Sequence, residues 1–168
     1  MILYLDFDGV LHPSEVFLDL ASGRPVMRCP PELGAPPEFA QMFSFASILV
    51  EALAPHPDTR IVLSTSWAAH LGFEAARDAL PEGLRDRVIG ATCAGRHALE
   101  EWLLSSRFEQ IARHAKQHGI EEWIAIDDND EGWPEHQRHR LVGIENPTMG
   151  LFDESVQARL REVLRART

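Results

Sequence analysis

Cysteine is scarce in this chain of 168 residues: only Cys29 and Cys93 occur, and they fit neither a CxxC pair nor a zinc-ligand spacing. That leaves no zinc motif and points to a reduced, cytoplasmic location. Long apolar runs are also missing. The longest are far too short to span a bilayer, so no membrane partner is expected. The opening run Met1-Ile2-Leu3-Tyr4-Leu5 has no basic flank and meets Asp6 directly, so it is not expected to act as a signal peptide. Basic residues are outnumbered, with 16 Lys and Arg against 26 Asp and Glu and a net charge of −10. This disfavours a broad surface that tracks nucleic-acid phosphates. It leaves room for a local basic pocket, or for a small anionic substrate whose charge is met by a metal. No internal repeat and no second domain is visible.

What remains is the composition of an ordinary globular chain, 45% hydrophobic and 25% charged, and the length suggests one domain over residues 1–168. Apolar runs alternate with helix-like stretches. Strands are expected at 1–7, from Ile61-Val62-Leu63, at Val88-Ile89-Gly90-Ala91, at Trp123-Ile124-Ala125-Ile126 and at Leu141-Val142-Gly143-Ile144. Helices are expected over 38–54, 68–80, 107–118 and 153–166, with Gly119 stopping the third. Residues 12–37 carry six of the eleven prolines and read as an irregular loop or small lid. The alternation implies an α/β fold: a mainly parallel sheet with helices on both faces, a three-layer α/β/α sandwich.

Three polar clusters each follow an apolar run directly: Asp6-x-Asp8, Ser64-Thr65-Ser66 and Asp127-Asp128. In parallel sheets ligands sit at the carboxyl ends of the strands, so the clusters form one candidate site. Four converging carboxylates, Asp6, Asp8, Asp127 and Asp128, are hard oxygen donors suited to Mg²⁺ rather than zinc. One carboxylate could attack a phosphoryl group and form an aspartyl-phosphate. A second could protonate the leaving group and then activate water. Hydroxyls and a cation would hold the phosphoryl oxygens.

These residues resemble the motifs of the haloacid dehalogenase (HAD) superfamily, whose fold is Rossmann-like. Asp6-Phe7-Asp8-Gly9-Val10-Leu11 matches its first motif, Ile61 to Ser66 its second, and Ile124-Ala125-Ile126-Asp127-Asp128 the DD form of its fourth. DGVLHP, STSW and IDD together look like a small capless or near-capless phosphatase-like subgroup. It is similar to phosphatase-type domains found within RNA-repair proteins and to stand-alone versions. The resemblance implies that Asp6 is nucleophile and metal ligand. It implies that Asp8 is general acid/base, with its backbone carbonyl at the metal, and that Asp127 and Asp128 complete a Mg²⁺ site. The phosphoryl-binding hydroxyl falls on Thr65 or Ser64, with Ser66 offering its N–H. The chain departs from the pattern at the third motif, where a Lys is usual. Arg107, behind a Ser106-x-x-Glu109 capping box, is the favoured substitute, and Lys116 the other choice.

Three functions fit this reading. The leading one is a Mg²⁺-dependent phosphomonoesterase acting on a small phosphorylated substrate through an aspartyl-phosphate. The second is a phosphatase on nucleic-acid ends, which the net charge disfavours. The third is a phosphate-binding module without turnover, supported by the missing Lys and opposed by the intact Asp8. His12 reads as a packing or capping residue. His114, His118, His136 and His139 read as surface residues, and the four tryptophans as core or rim.

Overall fold

The computed structural model describes residues 1–14, 16–19, 21–27, 41–93, 102 and 104–167. Strand β1 (Ile2–Leu5) lies at the centre of a five-stranded parallel sheet with β4 (Arg60–Leu63), β5 (Val88–Ala91), β6 (Trp123–Asp127) and β7 (Leu141–Gly143). The order is β5-β4-β1-β6-β7, so the chain builds outward on one side of β1 and then crosses to the other. That reversal opens a crevice at the carboxyl end of β1, where such sheets bind ligands.

The strand sequences are near-continuously apolar because both faces are covered. Alternation along β1 splits the core. Leu3 and Leu5 join Ile61, Leu63, Ile124 and Ile126 beneath helices α1 (Ala46–Leu53) and α6 (Glu154–Arg165). Tyr4 points the other way, with Val62 and Ala125, to Ile111 and Ala115 of α5 (Arg107–Gln117). Each of those fully buried leucines and isoleucines contributes about 1.5–3 kcal/mol before chain entropy is counted. The expected three-layer α/β/α sandwich is what forms.

Several local expectations are corrected. The segment 12–37 is not all irregular: β2 (Val16–Asp19) and β3 (Arg24–Met27) pair as an antiparallel hairpin, and the Asp19 carboxylate accepts from the Ser22 N–H at 3.0 Å in the turn. Residues 28–37 lie outside the described residues. The helix expected over 38–54 begins only at Ala46, and 38–40 are outside the described residues. Phe43 takes φ 59°, a left-handed conformation no helix can include, at a cost on the order of 1–3 kcal/mol. Bonds to the loop after β1 favour this over helix: Phe45 N–H reaches the Leu11 carbonyl at 2.9 Å, and Phe43 N–H reaches His12 Nδ1 at 3.3 Å. The helix expected over 68–80 is broken at Gly72 (φ 92°) into α2 (Ser66–Leu71) and α3 (Phe73–Ala79). A short α4 (Glu82–Arg85) precedes β5. No helix among the described residues is long and apolar enough to cross a membrane. Cys93 is buried and unpaired, and Cys29 lies outside the described residues.

His114 is not a surface residue. It is half-buried on α5 and its Nδ1 meets the Tyr4 hydroxyl at 3.0 Å. Burial, then the nearby His118, lower its pKa from 6.5 to about 4. The unfolded chain therefore takes up this proton first as pH falls. The stabilisation is complete above pH 6.5 and is lost between there and pH 4. At about 1.4 kcal/mol per unit, discounted for partial exposure, the loss is about 1–2 kcal/mol. Urea unfolding at pH 7.5 and pH 5 should show wild type losing about that much more than His114→Gln. Equal losses would refute the assignment.

Candidate active site

Asp6 is the first residue beyond β1, pinned by its N–H on the Ile126 carbonyl at 3.2 Å. Two N–H groups then converge on one oxygen, with Val10 and Leu11 bonding the Phe7 carbonyl at 3.1 and 2.9 Å. This tight turn carries Asp8 and Gly9. Gly9 has φ 71°, and a Cβ there would collide with the Asp128 carboxylate and lie 2.9 Å from Pro147 Cβ. Glycine is therefore required both by the turn and by the close approach of Asp128.

Asp6 and Asp127 are buried, while Asp128 is partly exposed. Carboxylate oxygens of these three all lie within 4.8 Å of one another. Asp8 does not join them. Its carboxylate turns aside to Trp67 Nε1, at 3.1 and 3.2 Å from Oδ1 and Oδ2, and to His12 Nε2, 3.0 Å from Oδ1. The four carboxylates expected to converge thus divide into a cluster of three and a separately held fourth.

Arg107 opens α5, placed there by the expected capping box. Ser106 Oγ accepts from Glu109 N–H at 3.3 Å, and Glu109 Oε2 accepts from Ser106 N–H at 2.8 Å. Its guanidinium reaches into the cluster, with Nη2 3.5 Å from Asp6 Oδ2 and Nε 2.8 Å from Asp127 Oδ2. It also lies over the Trp102 ring, 5.5 Å from the centroid. Lys116, the other choice for the third motif, is exposed in the last turn of α5.

Thr65 caps α2, its Oγ1 accepting from Trp67 N–H at 3.3 Å, and its hydroxyl is one of the groups that pull the Asp6 pKa down. Ser64 is buried behind it and its Oγ has no hydrogen-bond partner among the described residues. Ser66 is the first residue of α2, so its N–H has no acceptor within the helix. Beside Asp8 opens a cleft of about 310 Å³ lined by Val16 and Pro25 of the hairpin with Ser66, Trp67, His70 and Leu71.

The electrostatics follow from crowding. Burial and then repulsion from Asp8 raise the Asp6 pKa, against the pull of Arg107 and bonds from Phe7 N–H and the Thr65 hydroxyl. Burial and Asp6 raise Asp127 well above the ordinary carboxylate range. The same causes push Asp128 up to about 6. Burial opposes the Arg107 charge, but Asp6 and Asp127 more than offset it and hold its pKa above the usual value. The cluster thus carries more negative charge than one arginine can balance. Asp127 Oδ2, although close to Arg107 Nε, is not aligned with it as a hydrogen bond and is left without such a partner among the described residues. An all-oxygen donor set with an orphaned buried carboxylate oxygen fits a hard divalent cation.

Sequence reasoning left His12 out of the site and set Trp67 in the core or at its rim. Trp67 is indeed buried, but its indole N–H faces Asp8. The available signal was a histidine inside the apolar run Val10-Leu11-His12-Pro13, since a polar group carried into the core needs partners.

The chain belongs to a family described as the HAD domain in Swiss Army Knife RNA repair proteins, whose family model matches residues 2–156. The superfamily resemblance drawn from Asp6-x-Asp8, Ser64-Thr65-Ser66 and Asp127-Asp128 is thereby borne out. No curated protein and no solved structure matches the chain.

Proposed function

We propose that this protein is a Mg²⁺-dependent phosphomonoesterase that works through an aspartyl-phosphate on Asp6. One observation carries the reading: two carboxylates two residues apart have opposite surroundings. Asp6 sits in the charged cluster with Arg107 and Thr65, whereas Asp8 is held apart by neutral N–H donors beside an open cleft. Pairs of titratable groups in contrasting environments are how nucleophile and acid are divided.

Asp6, Asp127, Asp128 and the Asp8 carbonyl would hold Mg²⁺, which when bound neutralises phosphoryl charge as it develops. Thr65, with Ser64 and the Ser66 N–H, and Arg107 bind the phosphoryl oxygens. An Asp6 oxygen forms a bond to phosphorus while the bond from phosphorus to the leaving-group oxygen breaks, and Asp8 gives its proton to that oxygen. The leaving group departs on the side of the cleft. Asp8, now a carboxylate, takes a proton from water as that water's oxygen attacks phosphorus and frees Asp6. The substrate is a small phosphomonoester or an exposed phosphate end. The net charge of −10 argues against tight tracking of a polymer.

The purified protein should hydrolyse p-nitrophenyl phosphate with Mg²⁺, lose at least about 100-fold in rate with EDTA, and recover on adding Mg²⁺. A substrate panel of sugar phosphates, nucleotides and end-phosphorylated oligonucleotides at two salt concentrations then identifies the class. Absence of hydrolysis across that panel would overturn the proposal.

A further inference from the structure

His12 is 0% exposed, so it cannot touch substrate, and yet it is a polar ring inside the core. Its two nitrogens are both used. Nδ1 accepts from the Phe43 backbone N–H at 3.3 Å, and a backbone N–H can only donate. Nδ1 therefore carries a lone pair and the ring proton sits on Nε2, which points at Asp8 Oδ1 from 3.0 Å. The tautomer is fixed by the main chain, not by the carboxylate it serves.

The left-handed φ of Phe43 is part of this arrangement. It turns the N–H toward His12 and sets the Phe43 ring edge-on against the imidazole, with centroids 5.1 Å apart. Phe43 also packs on Phe7 at 5.3 Å and on Trp67 at 5.6 Å, so the same ring braces both Asp8 donors. Trp67 adds a second N–H, 3.1 Å from the same Oδ1. Its 3.2 Å contact to Oδ2 is the other arm of one shared proton. Two donors thus converge on Oδ1, and Oδ2 is left as the oxygen with capacity to carry and transfer a proton.

From this we propose that His12 and Trp67 are positioning residues for the leaving-group proton transfer: they lock Oδ1 of Asp8 so that Oδ2 presents its proton to the departing oxygen. The proposal rests on the phosphatase reading above. Neither residue forms or breaks a bond in the reaction. Asp8 Oδ2–H gives its proton to the alkoxide or phenoxide oxygen as the phosphorus–oxygen bond breaks, and its carboxylate is recharged by water in the second step. Phe43 matters only through the geometry that it imposes on the two donors.

A positioning role for an acid has a signature that a packing role lacks. A poorly basic leaving group needs little protonation and a strongly basic one needs it fully. The test compares kcat/KM for p-nitrophenyl phosphate and phenyl phosphate with Mg²⁺ present, because kcat/KM isolates the step that expels the leaving group. In His12→Leu and in Trp67→Phe, the ratio of the two values should shift about 10-fold or more against phenyl phosphate. His12→Gln, which returns an N–H near Nε2, should restore most of the wild-type ratio. A parallel fall on both substrates, or no fall on either, overturns the proposal while leaving the phosphatase reading intact. If His12→Leu does not fold, Trp67→Phe decides by the same comparison, since it removes the N–H and keeps the ring. A wild-type protein that hydrolyses neither ester nor any member of the substrate panel sinks the parent reading and this one together.

Discussion

Asp6→Asn should lose hydrolysis of p-nitrophenyl phosphate by about 10⁴-fold or more, as removal of a covalent nucleophile does elsewhere. Its thermal midpoint in metal-free buffer should equal or exceed that of wild type. The two outcomes share one cause. Asp6 is buried with Asp127 and Asp128 and feels the charge of Asp8, so its own charge raises the energy of the folded state and its pKa is driven upward by burial and then by repulsion. An amide of the same shape removes that repulsion. It does not strand Arg107, whose Nε remains 2.8 Å from Asp127. Strain of this kind at a reactive centre is the usual exchange of stability for activity. Asp6→Glu, which keeps the charge but moves the carboxylate by one methylene, should be nearly as inactive, because attack depends on placement within about an ångström. Turnover by Asp6→Asn within tenfold of wild type would rule out nucleophilic attack from this position.

The parts of this site legible in the sequence were those that local chemistry dictates. An apolar run that ends in Asp, Ser or Thr marks the carboxyl end of a buried strand, and a parallel sheet gathers such ends. That logic brought Asp6, Thr65 and Asp127 together correctly. The capping box placed Arg107 at a helix start, and the helix start proved to face the cluster. What escaped was set by long-range geometry. Nothing local shows that Asp8 turns away from Asp127 and Asp128, because i and i+2 share a face only while the chain stays extended. Here the chain leaves β1 at Leu5 and folds into a turn on the Phe7 carbonyl. Phe43 in a left-handed conformation is equally invisible: its segment has helical periodicity, and only tertiary bonds to Leu11 and His12 override it. The hairpin Val16–Met27 was hidden by the density of prolines around it, although Pro25 lies within one of its strands.

Replacing Arg107 should damage stability and activity together, in contrast to Asp6. Arg107→Leu keeps apolar contact with Trp102 but leaves Asp6 and Asp127 buried with no cation between them. Their side chains are only 5% and 1% exposed, so water cannot replace the lost partner. Breaking a buried pair from one side costs about 3–5 kcal/mol. Urea unfolding in EDTA should show a loss of that size, and Mg²⁺ should recover part of it, because a bound cation supplies the missing charge. Recovery by Mg²⁺ should be larger in this variant than in wild type, where Arg107 already shields the cluster. Activity should fall by about 10²–10³-fold even with saturating Mg²⁺, the cost of removing one preorganised group that stabilises the transferring phosphoryl. Arg107→Lys should restore most of the stability but not the rate. A single ammonium cannot span the 3.5 Å contact to Asp6 and the 2.8 Å contact to Asp127 as the planar fork does. The choice of arginine where the superfamily pattern has lysine would then be a matter of reach: the residue bridges two carboxylates from the first turn of α5. Full activity in Arg107→Lys would show that charge alone suffices at this position. Full activity in Arg107→Leu would remove Arg107 from the site.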